Sequence, residues 1–448
     1  MMKAPAPSAE KNIHYPEIRE SRLKNGLRIL VVQDDRLPRV FLSLVFPIGT
    51  VCNPEDNLSL VSLAMELTKS GTDTRSASEI SNLIDQLAIQ FDSDVLMEHS
   101  FIGMTFLEKE LESALGLLAE MVISATFPVD ELEKVKVRWK SHLIAQRSQP
   151  DFLANERIFK TLYQNHPYSR TSMTPEHLEL ATRDSVKNLY QSHFSPQGAY
   201  LLFAGPVDSV TATNLGKRFL GDWDSKEVIS IRYPQPTELE GRRICLIHRP
   251  HSVQSKLLVA GRTLPQGHPD SIALKVANQI LGGGASSRLF LNLREEKGYT
   301  YGAYSRLKSF RNDGLFLAGA SVKTEVTLEC IEETLKEIDQ LTQDPPKQEE
   351  LARCQQELIG SFIRQMETSA SVGALELDRR IYDLPEDFYR TFIPKVRSVE
   401  RKTVVEAARR YFDPHRLVIA VVADREDVET KLSQLGELQV FDTEGNPI

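Results

Sequence analysis

The chain has 448 residues, of which 41% are apolar and 26% are charged, and its formal net charge is -8. This length exceeds one ordinary hydrophobic core and fits two to four domains or subdomains of a soluble globular protein. The mild acidic excess argues against nucleic acid or an anionic membrane as the main partner.

The start of the chain and its cysteines indicate the cellular compartment. The segment Met1–Lys11 contains two prolines and no apolar core, so it does not resemble a secretory signal. No stretch approaches the ~18 consecutive apolar residues that a membrane helix needs. The four cysteines form no Cys-x-x-Cys pair, which predicts reduced, mostly buried thiols instead of a disulfide framework. We therefore expect a cytoplasmic protein that binds neither membrane nor nucleic acid.

The predicted elements occur twice in the same order. The first series has strands at Gly26–Val32 and Val40–Phe46, a long helix from Glu131, a Leu162-Tyr163 pair and a strand at Ala199–Ala204. The second series has strands at Gly241–Ile247 and Lys256–Ala260, a helix from Glu350, an Ile381-Tyr382 pair and a strand at Leu417–Val422. The shift is 215 residues from Gly26 to Gly241 and 219 residues from Glu131 to Glu350.

This internal repeat predicts two homologous halves of about 200 residues each. The alternative is a chance likeness between generic amphipathic segments. A linker is expected around Ser225–Glu240, where Pro234 and Pro236 interrupt a polar stretch. The predicted fold class is α+β, with two mainly antiparallel sheets, each covered by helices on one face. The predicted domains are residues 16–224 and 239–436.

Two segments resemble a known peptidase family. The run Leu281–Phe290 (Leu-Gly-Gly-Gly-Ala-Ser-Ser-Arg-Leu-Phe), followed by Leu-Arg-Glu-Glu-Lys-Gly-Tyr-Thr-Tyr at Leu293–Tyr301, is similar to the C-terminal-half signature of pitrilysin-type (M16) zinc metallopeptidases. The opening Leu-Lys-Asn-Gly-Leu at Leu23–Leu27 is also common in that family, although Asn-Gly is a generic turn signal as well. The resemblance extends from about residue 16 to residue 435.

The resemblance also indicates that a metal site has been lost. Active members carry His-x-x-Glu-His on a first-half helix before a Gly-Thr pair, where two histidines one turn apart bind zinc and the glutamate acts as general base. Counting back from Gly71-Thr72 places Ser62 and Glu66 at the histidine positions and Met65 at the glutamate position. The third ligand, a glutamate in a later helix, falls near Ser141 or His142.

These residues predict a repacked pseudo-site without metal, because catalytic zinc requires about three His, Cys or carboxylate ligands. A weak two-ligand site of Glu66 and His142 is the alternative. His248 and His251 lie three apart without an acidic residue close in sequence, so we interpret them as solvated surface histidines.

The second half retains residues that the resemblance assigns to substrate binding. Arg294 and Tyr301 match the family's arginine–tyrosine pair, which holds substrate bound at the zinc site. The alternative is a surface Arg–Glu pair and a core tyrosine. The glycines at 282–284 predict a flexible turn at a helix end, since no Lys-Ser or Lys-Thr follows as in a phosphate loop. A contact of these glycines with substrate is an open alternative.

We therefore hypothesise a non-catalytic subunit that is inactive alone and contains no cofactor. It would pair with a homologous zinc-bearing subunit and bind a peptide substrate for hydrolysis. One alternative is a structural scaffold like the family's core subunits in respiratory complexes. Another is a homodimer that forms in isolation and captures peptides without cutting them.

Overall fold

The computed structural model describes residues 15–226 and 233–448. Part of the predicted linker, residues 227–232, and the segment Met1–Lys11 lie outside the described residues. Within the described ranges, no helix combines the length and the apolar character that crossing a bilayer requires.

The first half contains six strands and eight α-helices within its described residues. The strands are β1 (Arg19–Arg22), β2 (Arg28–Gln33), β3 (Arg39–Phe46), β4 (Gln90–Val95), β5 (Ser100–Leu107) and β6 (Tyr200–Gly205). The helices are α1 (Leu60–Leu67), α2 (Ala77–Gln86), α3 (Leu111–Ile123), α4 (Val129–Arg147), α5 (Pro150–Tyr163), α6 (Pro175–Leu180), α7 (Arg183–His193) and α8 (Ser209–Leu220).

The second half follows the same plan in its described residues. The strands are β7 (Arg243–His248), β8 (Gln254–Thr263), β9 (Thr300–Ser309), β10 (Gly314–Lys323), β11 (Val418–Ala423) and β12 (Glu437–Phe441). The helices are α9 (Ser271–Gly282), α10 (Arg288–Phe290), α11 (Thr327–Gln343), α12 (Gln348–Gln365), α13 (Ser369–Ile381), α14 (Phe392–Ser398), α15 (Arg401–Tyr411) and α16 (Arg425–Leu432). A π-helix at Leu291–Glu296 directly continues α10.

The two sheets match in the order of five strands and differ in the sixth, β1 or β12, and this likeness confirms the predicted α+β fold of two similar halves. The first sheet runs β1-β2-β6-β3-β5-β4 and the second runs β12-β7-β11-β8-β10-β9. Most neighbours are antiparallel, while β2–β6, β7–β11 and β7–β12 are parallel. The domain bounds 16–224 and 239–436 stay a prediction, and β12 lies after the second of them.

Strand position within a sheet follows the sequence pattern. The interior strands β6 (Tyr-Leu-Leu-Phe-Ala-Gly) and β11 (Val-Ile-Ala-Val-Val-Ala) are continuous apolar runs and are buried at every residue. A strand covered on both faces requires such a run. The outer strand β4 instead alternates exposed and half-buried residues, as expected where only one face packs on a core.

Helices cover both faces of each sheet, so the prediction of helices on one face is wrong. The inner face of each sheet packs against helices of its own half. The other face of each sheet is covered by a helix that belongs in sequence to the opposite half, which we call an exchanged helix. Leu377 and Ile381 of α13 pack with Leu202 of the first sheet, and Leu162 of α5 packs with Leu258 of the second sheet. Each half therefore completes the core of the other.

Polar contacts reinforce the seam between the halves. Glu98, in the turn between β4 and β5, is buried and accepts a hydrogen bond from the Tyr168 hydroxyl at 2.5 Å. The same carboxylate accepts the backbone N–H of Arg311, in the β9–β10 turn, at 3.0 Å. The end of β4 is therefore held in place by the second half.

Candidate functional site

The first-half candidate residues line one cleft. It has a volume of about 620 Å³ and lies between α1, α4 and the edge strand β4. Ser62, Met65 and Glu66 enter it from α1, and His142 enters it from α4. Ser141, the other position considered for a third ligand, is not among the lining residues, and its hydroxyl donates to Val137 O of its own helix at 3.3 Å.

The cleft is partly apolar. Met65 is buried in the first-half core, and four half-buried side chains that pack on the same core also line the cleft: Val95, Trp139, Leu143 and Met173. Ser62 and Glu66 keep the one-turn spacing of the family's two histidine ligands, and Met65 stands at the general-base position, so a hydroxyl replaces one imidazole and a thioether replaces the catalytic carboxylate. The frame of a site is therefore present without its ligands.

The carboxylate of Glu66, which stands at a ligand position, already forms ion pairs with two cationic side chains of this chain. Arg138 of α4 pairs with Glu66 at 2.5 Å, and Lys69 pairs with its other oxygen at 3.1 Å. A zinc ion at Glu66 would therefore compete with a guanidinium and an ammonium group. His142 is exposed, and Asp94 of β4, which also lines the cleft, does not form a metal-ligand group with it and Glu66, so the residues of this cleft do not fit a zinc site. Within the described ranges, no group of three or more His, Cys, Asp and Glu residues could hold a metal ion.

The sequence patterns did not identify Lys69 and Arg138 as the ion-pair partners of Glu66. Lys69 lies one turn after Glu66 on the same helix side, so its pairing follows an i,i+3 spacing that the sequence does contain. Arg138 reaches Glu66 from a helix 72 residues away, and no local pattern marks that contact. Arg138 also lies one turn before His142, which places both side chains on the cleft side of α4.

Arg294 lies on the π-helix at Leu291–Glu296 and is not among the residues that line the first-half cleft. Its side chain is 45% exposed, its guanidinium lies 4.6 Å from the ring centre of Phe290, and Glu295 is a loose partner at 3.7 Å. A π-helical turn is rare and occurs frequently at functional sites. No carboxylate holds Arg294 tightly among the described residues, so it retains donors for another molecule.

Tyr301 is 95% exposed, so the core-tyrosine alternative is wrong. It follows Gly298 (φ +66°) and lies at the start of β9, the last strand of the second sheet. Tyr301 and Gly302 together oppose Ser321 of β10, which makes a β-bulge. The Thr300 hydroxyl fixes this bulge by donating to Ser321 O at 2.7 Å. A bulge of this kind redirects a side chain, and here the phenol points into solvent.

The glycines at 282–284 end a helix, as predicted. Helix α9 ends at Gly282, where an added Cβ would lie 2.3 Å from the backbone nitrogen of Ser305. Only glycine permits this close approach of α9 to β9. Glu357 anchors the following loop by accepting the Ser286 hydroxyl at 2.7 Å and the Gln279 amide at 2.9 Å.

The His248–His251 pair differs from the prediction. His248 is half-buried, and its Nδ1 accepts the backbone N–H of Arg425 at 3.1 Å, so it is a structural contact at the start of α16. The backbone N–H of His251 donates to Asp424 at 2.6 Å. Asp424 is the acidic neighbour of this pair. It is far from both histidines in the sequence, and its side chain caps the start of α16.

The comparisons with known proteins agree with this geometry. Residues 28–176 match the family model described as Insulinase (Peptidase family M16), and residues 181–358 match the model described as Peptidase M16 inactive domain. The chain belongs to peptidase family M16. The two matches together cover most of the chain, with one model on each half.

Relatives of this M16 chain carry contrasting descriptions. "Uncharacterized zinc protease YmxG" of Bacillus subtilis is 25% identical over 361 residues, which cover 79% of this chain and 86% of that protein. "Non-peptidase homolog YmxG" of Helicobacter pylori is 22% identical over 408 residues, which cover 90% and 93%.

Solved M16 structures share the fold. The peptidase M16 inactive domain from Pseudomonas fluorescens superposes with a TM-score of 0.85 at 23% identity, and covers 91% of this chain and 98% of its own. A protease from Helicobacter pylori superposes with a TM-score of 0.84 at 19% identity, with 91% and 99% covered. At these identities the likeness concerns the fold alone.

Proposed function

We propose that this M16 chain is the non-catalytic subunit of a two-subunit zinc peptidase. It supplies Arg294 and Tyr301 to the active site of a homologous, zinc-bearing partner. The observation that carries this proposal is the 95% exposure of Tyr301 together with the half-exposed side chain of Arg294, seven residues earlier in the sequence. Tyrosine normally buries much of its ring, so an exposed phenol on a fixed bulge suits contact with another molecule.

The chemistry of the pair suits peptide hydrolysis. A guanidinium offers five donors in a fixed fork, and a phenol adds one more. Together they hold a peptide carbonyl and stabilise the oxyanion that forms when that carbonyl is attacked. The zinc and the general base belong to the partner, because Ser62, Met65 and Glu66 do not provide them here.

The relatives support a division of labour. One M16 relative is described as a zinc protease and another as a non-peptidase homolog. A chain that lacks the His-x-x-Glu-His motif but has the complete two-half fold resembles the second kind.

The proposed setting is the cytoplasm. All four cysteines are free thiols; Cys245, Cys330 and Cys354 are buried and Cys52 is half-buried. Burial raises the pKa of the Cys52 thiol to about 11, so this thiol is unreactive at neutral pH. Inert, unpaired thiols are typical of a reducing compartment.

The test is reconstitution with a zinc-bearing M16 homologue from the same genome. The chain alone should cleave no peptide, and the mixture should cleave an unstructured peptide. In the mixture, Arg294→Ala should lower kcat by about a hundredfold and Tyr301→Phe by about tenfold, because each removes an oxyanion donor. Arg218→Ala removes an exposed arginine from the first half and serves as the matched control.

The outcomes separate the proposal from its alternatives. Full activity of both variants in the mixture would remove the pair from the mechanism and favour a scaffold. Cleavage by the purified chain alone would contradict the non-catalytic role. Stable association without any gain in activity would favour a structural partnership.

A further inference from the structure

We propose that Arg306 and Lys308 of β9, which we call the cation pair, bind acidic side chains of the peptide substrate. The favoured peptide has two carboxylates separated by one residue. The inference rests on the proposed function, because it takes the substrate to be a peptide held at Tyr301. It adds the chemical class of that substrate and the residues that select it.

Strand register places the cation pair on the same side of the second sheet as Tyr301. Arg306 opposes Leu317 of β10, and Leu317 packs with α5 in the cluster that covers this side of the sheet. Ser321 lies four residues after Leu317, so it points to the same side. Ser321 in turn opposes the bulge that carries Tyr301. One side of β9 therefore presents Tyr301, then Arg306 and, two residues later, Lys308.

Neither member of the cation pair forms an ion pair within the described ranges. Arg306 is exposed, and its guanidinium lies 4.7 Å from the ring centre of Tyr304. Lys308 is exposed, and its ammonium lies 5.7 Å from the ring centre of Phe159 on α5. Desolvation and the nearby charge of Arg306 lower the pKa of Lys308. The two cations therefore repel each other, and a bound anion would relieve that repulsion.

The ring of Tyr304 supports the cation pair and is itself held in place. It lies against Gly319 of β10, where an added Cβ would be 2.9 Å from the tyrosine hydroxyl oxygen. Lys256 of β8 is only 7% exposed, and its ammonium lies 5.6 Å from the centre of the same ring. Asp151, at the start of α5, pairs with Lys256 at 2.6 Å and neutralises it. The unneutralised charge beside this ring therefore belongs to the cation pair.

The spacing of the cation pair selects the ligand. Side chains two residues apart on a strand project from one side about 7 Å apart, and so do those of an extended peptide. Two carboxylates separated by one residue can therefore each meet one cation, whereas a single terminal carboxylate would leave one cation unpaired. Single-stranded nucleic acid needs free aromatic faces for stacking. The ring of Tyr304 already contacts Gly319 and two cations, and the net charge of -8 opposes a polyanion.

Cations on an outer strand also discourage edge-to-edge pairing of sheets. That role requires charge alone. It does not account for two unpaired cations on one side of β9, next to a tyrosine ring for which β10 provides a glycine. The combination of unrelieved charge, fixed spacing and a shared side with Tyr301 favours an acidic peptide.

The distance along β9 predicts where the acidic residues lie in the substrate. Arg306 follows Tyr301 by five residues, which correspond to about 17 Å of strand. An extended peptide whose carbonyl is held at Tyr301 therefore reaches the cation pair about five residues away from that carbonyl.

The first test measures binding by the purified full chain alone. The probe is a short peptide with an uncharged fluorophore, in which two glutamates are separated by one residue in an alanine, glutamine and serine background. A second peptide has the two glutamates at opposite ends, and a third has glutamine in their place. The first should bind about two- to tenfold more tightly than either, by fluorescence anisotropy at low salt, and the difference should disappear at high salt.

Variants assign the preference to the cation pair. Arg306→Gln with Lys308→Gln should abolish it. Lys217→Gln with Arg218→Gln removes two exposed cations from α8 and should leave it unchanged. Arg306→Glu with Lys308→Glu should reverse it, so that a peptide with lysine in place of glutamate binds more tightly. A structural role of the two side chains would not produce this reversal.

The second test uses the mixture with the zinc-bearing partner. The substrates carry the two glutamates about five residues before or after the cleaved bond. For the better of these substrates, Arg306→Gln with Lys308→Gln should raise KM about two- to tenfold relative to the glutamine peptide. Arg294→Ala should instead lower kcat for all substrates. A mixture without any activity would contradict the proposed function, and binding by the chain alone would then decide whether the cation pair selects acidic peptides.

Equal affinity of the chain for the glutamate and glutamine peptides would overturn the proposal. So would an equal effect of the two pairs of substitutions to glutamine. Binding of a labelled thymidine oligonucleotide that is lost with the cation pair, without any preference among the peptides, would assign this side of β9 to single-stranded nucleic acid and also overturn it.

Discussion

The two halves share the order of five strands, but the outer strands β4 and β9, which occupy equivalent positions, differ in what they present. In the first half, β4 borders a cleft whose zinc-ligand positions are Ser62 and Glu66. In the second half, β9 presents Tyr301 on a bulge, and the cavity that Ala303 of β9 lines within the described residues has a volume of only about 10 Å³. One half thus keeps a pocket without its catalytic groups, and the other keeps polar groups without a pocket. Repeated topology therefore fixes where a site can lie but not which chemistry it contains.

Restoring the ligands is the strongest way to test this contrast. Ser62→His, Glu66→His and His142→Glu together should give a chain that binds about one zinc per molecule, whereas the unchanged chain should bind none stoichiometrically. The helical frame already spaces positions 62 and 66 one turn apart. The measurement is metal content after dialysis, with isothermal titration calorimetry for affinity.

Two related variants sharpen the result. Replacing His142 with alanine instead of glutamate leaves only two ligands and should weaken zinc binding. Adding Arg138→Gln removes the guanidinium that now pairs with Glu66 and should strengthen it. A folded triple variant that takes up no zinc would show that the cleft has diverged in shape as well as in ligands.

The exchanged helices provide a second test, because they predict that the halves do not unfold separately. Leu162 of α5 is fully buried against the second sheet. Leu162→Ala should lower the free energy of unfolding by about 2–5 kcal/mol. Although Leu162 belongs to the first half, hydrogen exchange should increase in β7, β8 and β11.

Leu377→Ala in α13 is the reciprocal variant and should increase exchange in β2 and β6 of the first sheet. Both tryptophans, Trp139 and Trp223, lie in the first half, so their fluorescence reports that half alone. Fluorescence and far-ultraviolet circular dichroism should therefore give coincident urea transitions. Two separated transitions would contradict the interlocked arrangement.

Much of the fold follows from the sequence, and the limits have a physical cause. The strands β2, β3, β7 and β8 appear where their apolar runs predicted them, because a strand buried in a sheet needs such a run. The exchange of α5 and α13 was not predicted. Helical periodicity shows that one side of a helix is buried, but it does not show which sheet covers that side.

The candidate site was predictable only in part. The motif spacing located Ser62, Met65 and Glu66, and the structure places all three in one cleft. The pairing of Glu66 with Arg138 and the bulge at Tyr301 depend on contacts between distant segments. Such contacts leave no periodic pattern in a single sequence.

A fall in pH should destabilise the protein through two buried histidines of the first half. Burial lowers the pKa of both His99 and His166 to about 4, and each has a ring nitrogen without a partner in the described chain. An unfolded histidine titrates near 6.5, so the unfolded chain binds more protons between pH 4 and 6.5. Their stabilising contribution is complete above pH 6.5 and is lost as the pH falls towards 4.

His99→Gln should reduce this loss by about 2 kcal/mol, measured by urea unfolding between pH 7.5 and 4.5. The ring of His99 lies edge-on to Tyr382 of the second half at 6.4 Å, so the effect should appear at the seam. His415→Gln changes an exposed histidine and is the control. Identical pH slopes for the two variants would contradict the assignment.

The second half should show the opposite pH dependence. Burial raises the pKa of Asp378 on α13 to about 6, and the nearby ammonium of Lys275 partly opposes that rise. The folded chain then holds the extra proton between about pH 4 and 6, so this stabilising contribution is present below pH 4 and is lost as the pH rises through 6. Asp378→Asn should therefore stabilise the protein at pH 8 by about 1 kcal/mol and have little effect at pH 4. Greater destabilisation at pH 8 than at pH 4 would mean that attraction to Lys275 outweighs the cost of burying the carboxylate.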